Sequence, residues 1–282
     1  MSNNGFSMLK IWIEENKIDK SDYPNKIELY GFQEKIEITT EIKRDISKKV
    51  LLGLENPEHL KVRFNNLSSE EIRECLIDSI LPEKNNQFHP QKSMWGEIIS
   101  AEILNVFRKH LIPFYRLRHK EKQNQSMRGE ADVVTCYLDD TPLIIAFTEV
   151  KTKGNIEQTG FYEYKKEMKN AEKELLKDNV DKPEILEYVH KILSYDDKYE
   201  LLQKFDDAIK NPNSYKKEFH IFMIMEKNRW GDQIIEFFKE KSTELPNLTI
   251  NIVLIDSLNE LIDETYEIIL DIAEDIINDF KE

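Results

Sequence analysis

Two carboxylates and an ammonium fall where two strand-like runs meet: Asp132 opens the first run, and Glu149 and Lys151 close the second. The first reads Gly129-Glu130-Ala131-Asp132-Val133-Val134, the second Leu143-Ile144-Ile145-Ala146-Phe147-Thr148-Glu149-Val150-Lys151. Such groups gathered at one point of a sheet can hold a divalent cation and activate a water. Those are the requirements for cutting a phosphodiester bond.

Both runs are rich in β-branched and aromatic residues, and Asp139-Asp140-Thr141-Pro142 between them has turn chemistry. A hairpin loop of that length pairs Leu138 with Leu143. Pairing then continues at a constant index sum, placing Asp132 opposite Glu149 and Glu130 opposite Lys151. Side chains alternate with period 2, so these groups share one face. Directly opposed side chains have Cβ atoms roughly 4.5–5.5 Å apart, where like charges repel. A cation between the carboxylates relieves that repulsion. The second run is apolar on both faces, so it reads as a buried central strand, where carboxylates need partners or a metal. The alternative is a plain ion pair between Glu130 and Lys151 across the hairpin.

The flanking elements supply a matching scaffold. Gly96 to His110 is amphipathic, with Ile99, Ile103, Val106, Phe107 and His110 near helical spacing and Ser93 as the N-cap. Leu111 to Leu117 reads as a short strand. After the hairpin, helical runs are predicted over 156–177 and 182–210, a strand over 217–225, a helix over 230–241, a strand over 248–255 and a last helix over 258–280. The predicted class is α/β, a mixed central sheet flanked by helices over 91–282. Residues 1–90 form an N-terminal accessory region with no recognisable motif, the boundary lying among the polar residues and prolines from Leu81 to Pro90.

This order, with Asp132 and Glu149-Val150-Lys151, resembles the PD-(D/E)xK nuclease superfamily, whose restriction-endonuclease-like core runs helix, three strands, helix, strand. The resemblance implies a metal site formed by Asp132, Glu149 and Lys151. A glutamate on the first helix joins it, here Glu97 or, as second choice, Glu102. Ala131 replaces the usual proline. Gln158 and Tyr162 look like the helix motif of the RecB-like branch, though Gln158 reads equally well as a surface residue. The Gly96-Glu97 helix start, the Gly-Glu-Ala-Asp hairpin, Glu-Val-Lys and the ending from Val253 to Tyr266 also resemble the HamA family. These are nuclease subunits of the Hachiman anti-phage system. That resemblance implies a helicase partner, HamB.

Composition sets bounds. The chain has 282 residues and a formal net charge of −14, which argues against indiscriminate nucleic-acid binding. Positive charge is concentrated just before the hairpin, where Arg116, Arg118, Lys120, Lys122 and Arg128 make a candidate phosphate-binding loop. The alternative for that loop is a solvated charged segment. Cys75 and Cys136 have no pairing pattern, which fits a reducing cytoplasm, and no apolar run or signal core suggests a membrane. The six histidines lack His-x-x-x-His spacing, so no zinc site is expected, and no Gly-rich phosphate loop suggests ATP hydrolysis.

The expected activity is therefore Mg²⁺-dependent DNA cleavage, with Mn²⁺ as a substitute and no small-molecule cofactor. Asp132, Glu149 and the Val150 carbonyl would hold the ion, and Glu97 would support it. Lys151 would position the water or offset developing charge. The competing class is a catalytically silent DNA- or helicase-binding regulatory subunit of the same fold.

Overall fold

Strands rich in residues apolar on both faces must be covered on both sides, and this chain builds one sheet with helices on each face. The computed structural model describes residues 7–18, 27–83, 90–119, 131–137, 142–153, 161–180, 184–195, 198–229, 231, 233, 236–237 and 242–279. The elements are α1 (Met8–Trp12), β1 (Ile13–Lys17), β2 (Glu28–Glu34), α2 (Thr40–Leu54), α3 (Pro57–Phe64), α4 (Ser69–Ser79) and α5 (Pro90–Arg108). Then follow β3 (Val133–Tyr137), β4 (Leu143–Lys153), α6 (Phe161–Asp178), α7 (Glu184–Tyr195), α8 (Tyr199–Lys210), β5 (Tyr215–Glu226), β6 (Leu248–Ile255) and α9 (Leu258–Asp279).

The sheet order is β1-β2-β6-β5-β4-β3. Its centre, β2-β6-β5-β4, is parallel, and the edges β1 and β3 pair antiparallel. This mixed sheet between helical layers is the arrangement of an α/β nuclease-like core. One apolar core fills the space between the sheet and α2, α5 and α9, with Phe222, Ile224 and Val253 on the sheet side. The other lies under α6, α7 and α8, with Phe219, Ile221 and Met223 facing it.

The first ninety residues contribute to the same sheet. β2 runs parallel to β6, and α2 packs on α9 and α5. Local signals account for these helices: Thr39 caps α2, Asn56 with Pro57 starts α3, and Ser68 and Glu71 form a capping box on α4.

Several expected boundaries shift. α5 begins at Pro90, so Ser93 lies inside its first turn and does not cap it. The strand expected over 111–117 is reduced to a single bridge between Leu111 and Cys136, followed by a 3₁₀ turn over Arg116–His119. Pro113 has no N–H to donate to a ladder, and the arginines that follow reach back to main-chain carbonyls. The run expected over 182–210 divides into α7 and α8 around 196–198. Most of the helix expected over 230–241 lies outside the described residues.

Candidate active site

The β3–β4 register decides where the acidic groups meet. Val133 pairs with Thr148 and Tyr137 with Ile144, the constant index sum that the hairpin loop length predicts. One step further along the same ladder, Asp132 meets the end of β4, and its Oδ2 accepts the Val150 N–H at 2.8 Å. The preceding residue is clamped from two sides. The Ala131 N–H donates to Asp178 Oδ2 at 3.2 Å, and its carbonyl accepts from Arg116 Nη1 at 2.6 Å. Asp178 ends α6 and Arg116 begins the 3₁₀ turn, so three separate elements fix the position of Asp132.

Glu149 and Lys151 are two residues apart on β4 and therefore share a face. Lys151 Nζ donates to Glu149 Oε1 at 2.6 Å, and Glu149 is only 4 % exposed. Glu97 arrives from α5, which lies directly on β4 at Gly96. A Cβ there would fall 1.9 Å from Thr152 Oγ1, so glycine allows this approach without displacing Thr152. Ser93 Oγ donates to Glu97 Oε1 at 3.3 Å. Glu97, Arg116, Phe114 and Asp132 line a small cavity of about 20 Å³ between α5 and β3, room for about one water.

The charges are in conflict. Burial first, and then the neighbouring Asp132, push the Glu149 carboxyl up to about 8. Burial and the Asp132 charge raise Glu97 well above the ordinary range, and the Arg116 guanidinium only partly offsets this. Burial also raises Asp132, against the pull of Lys151, the Val150 N–H and Arg116. For Lys151, burial favours the neutral amine, but Glu149 and Asp132 outweigh it and hold its pKa above the ordinary lysine value. Without a cation, each carboxylate that ionises opposes the ionisation of the others.

A family model, HamA, matches residues 7–269. The chain belongs to the HamA family. None of the curated proteins compared matches it. Membership connects the chain with Hachiman antiviral defence. The HamA match begins at residue 7 and so takes in nearly all of the N-terminal region up to residue 90, where the sequence alone offers no motif.

In this HamA-family chain, the structure gathers Glu97, Asp132, Glu149, Val150 and Lys151 at one place. Glu102, the second choice on α5, is buried and engaged elsewhere: it accepts from Lys49 Nζ at 2.9 Å and from the Tyr115 hydroxyl. Two residues of the expected phosphate-binding loop are turned inward. Arg116 is 6 % exposed and bound to the Ala131 carbonyl. Arg118 donates through Nε to the Leu52 carbonyl at 2.7 Å and lies over the Tyr115 ring. In this structure both arginines fasten main chain. Lys120, Lys122, Arg128, Glu130 and Gln158 lie outside the described residues, and Tyr162 stands in the first turn of α6 with its side chain outside the description. The sequence reading missed Arg116 and Asp178 as positioning groups. Neither stands at a recognisable interval from Asp132; only the tertiary fold brings them to Ala131.

Among the described residues no helix is long and apolar enough to cross a membrane.

Proposed function

We propose that this HamA-family chain is a metal-dependent deoxyribonuclease, the effector of an anti-phage defence complex that includes a helicase-like protein. The observation that carries the reading is the convergence of Glu97, Asp132, Glu149 and Lys151, with Glu149 pushed up to about 8 by burial and by the Asp132 charge in spite of Lys151. The donor set fits Mg²⁺, a hard cation that prefers carboxylate and carbonyl oxygens, and Mn²⁺ accepts the same donors. Asp132, Glu149 and the Val150 carbonyl would hold the ion, and Glu97 would support it. Bound there, the ion supplies Lewis-acid polarisation of the phosphate and a water of lowered pKa.

The chain's own groups divide the remaining work. Lys151 is held charged by Glu149 and Asp132, so it serves as a cation against developing negative charge and not as a general base. Arg116 and Asp178 keep Asp132 in register through Ala131. The water-sized cavity beside Glu97 and Asp132 gives a nucleophile a place to wait. The acidic balance of −14 supports a partner that brings DNA and the chain together, and the absence of a phosphate loop in the sequence leaves ATP-driven work to that partner.

The test is cleavage of labelled DNA by the chain with and without its helicase-like partner, in Mg²⁺ or EDTA, comparing wild type with Lys151→Met. Mg²⁺-dependent cutting that the substitution lowers by about 10²–10³-fold supports the reading. DNA binding without cutting, in the presence of the partner and metal, would instead favour the silent regulatory subunit.

A further inference from the structure

The residues that leave α5 meet the beginning of β5 at a cluster of His110, Glu218 and His220. One ligand atom from each lies within 4.8 Å of the others. His110 is 1 % exposed and His220 4 %, while the Glu218 side chain is 31 % exposed and faces the way out. Glu218 and His220 are two residues apart on a strand, so they share a face. Lys109, at φ 59° in the left-handed region, ends α5 and turns the chain so that His110 enters the interior.

We infer that His110, Glu218 and His220 form a binding site for a Zn²⁺-class transition-metal ion, separate from the acidic site. Two imidazoles and a carboxylate are a ligand set that zinc takes, with a fourth position left for water. His220 Nε2 and Glu218 Oε2 are already 3.6 Å apart, close to the roughly 3.3–3.5 Å between neighbouring ligands of a tetrahedral zinc.

The surroundings prepare both rings as ligands. A metal-bound histidine donates its other ring N–H to a fixed acceptor. For His110 that acceptor is Thr135 Oγ1, 2.6 Å from Nδ1. For His220 it is Asn251, whose side-chain amide lies 3.4 Å from Nδ1. As oriented, the Asn251 nitrogen faces the ring. Among the described residues, Asn251 Oδ1 and His220 Nε2 are then buried with no hydrogen-bond partner. Turning the amide over sets Oδ1 against a protonated Nδ1. That gives Asn251 Oδ1 a donor and leaves the Nε2 lone pair of His220 free to bind an ion. A metal then gives His220 Nε2 the partner it otherwise lacks.

The location gives the ion a structural role. The cluster sits at the C-terminal end of α5 while Glu97 stands near the middle of that helix, and His220 pairs with Thr148, so its side chain leaves the sheet on the face opposite to that of Glu149. An ion here ties the C-terminal end of that helix to β5, next to the strand that carries Glu149 and Lys151. Linear spacing misses such a site because His110 is more than a hundred residues from Glu218.

The experiment uses the full chain, freed of metal by chelation and titrated with Co²⁺ as a spectroscopic stand-in for Zn²⁺. The expected result is a ligand-field absorption that saturates at one Co²⁺ per chain, is displaced by stoichiometric Zn²⁺, and is retained in Asp132→Asn. His220→Gln should abolish it, and the half-exposed Glu218→Gln should weaken it at least tenfold. If His220→Gln does not fold, Glu218→Gln decides. No saturable absorption in the wild type would overturn the site, as would an unchanged titration in Glu218→Gln. Loss of the absorption in Asp132→Asn would also overturn it, by assigning the ion to the acidic site.

Discussion

Replacing Asp132 with asparagine separates a metal site from a chance meeting of charges, because the two make opposite predictions for stability. Asparagine keeps an oxygen for the Val150 N–H now held at 2.8 Å, so the strand connection survives. What disappears is the negative charge that helps to raise Glu149 and Glu97. In the metal-free wild type, Glu149 titrates at about 8 when folded against an ordinary value of 4.5. The folded state therefore binds the extra proton between those values, and stability present at lower pH is lost as pH rises through about 8. Burial, the larger cause, remains in the variant. The relieved part is the charge–charge part, about 0.5–1 kcal/mol on the scale of cross-strand pairs. Metal-free Asp132→Asn should accordingly match or exceed the wild type, with its margin growing as pH rises to about 8 and levelling off above it.

Metal reverses the order. An ion at a hundred times its Kd stabilises the wild type by about 2.7 kcal/mol, or about 5–10 °C in melting temperature for a chain of this size. The variant should lose most of that gain. Calorimetric melts of both proteins, in EDTA and in Mn²⁺, at one pH below and one above Glu149's titration, measure all of this. A wild-type melt indifferent to metal at both pH values would refute the reasoning. A variant clearly less stable than wild type without metal would mean that Asp132 is an ordinary salt-bridge partner.

Further outcomes follow from particular contacts. Gly96→Ala drives a methyl to within 1.9 Å of Thr152 Oγ1 and should cost about 1–3 kcal/mol in urea unfolding, with part of the loss recovered by Thr152→Ala. Arg116→Ala removes a charged hydrogen bond to the Ala131 carbonyl and should cost about 1.5–3 kcal/mol. If it instead left stability unchanged and lowered the salt dependence of DNA binding, Arg116 would be a phosphate contact after all. Replacing Lys120, Lys122 and Arg128 together should flatten the log–log salt slope of DNA binding by up to about three, measured in the Asp132→Asn background. An unchanged slope would place the DNA path elsewhere.

The geometry was legible in the sequence where local rules govern it. The hairpin register followed from loop length and strand period, and β3 and β4 keep that register. β6 was readable to its ends because its apolar run is bounded by turn residues. What failed depended on contacts between distant segments. Leu111 to Leu117 looks like a strand by composition, yet Pro113 and the inward-reaching Arg116 leave only one bridge. The same arginines looked like a basic loop, because sequence displays charge but not the carbonyls of Ala131 and Leu52 that absorb it. β1 and β2 had no motif to announce them, and they are recognisable only through their place beside β6.

The central claim, that Glu149 and Lys151 carry metal-dependent DNA cleavage, is tested most directly by one comparison. Wild type and Glu149→Gln, each assembled with the helicase-like partner, are given labelled DNA and Mg²⁺, with circular dichroism and partner binding verified in both. The account predicts Mg²⁺-dependent cleavage by wild type and a loss of about 10²–10⁴-fold in the variant, the range for removing one catalytic group. Equal cleavage by the two proteins would contradict it.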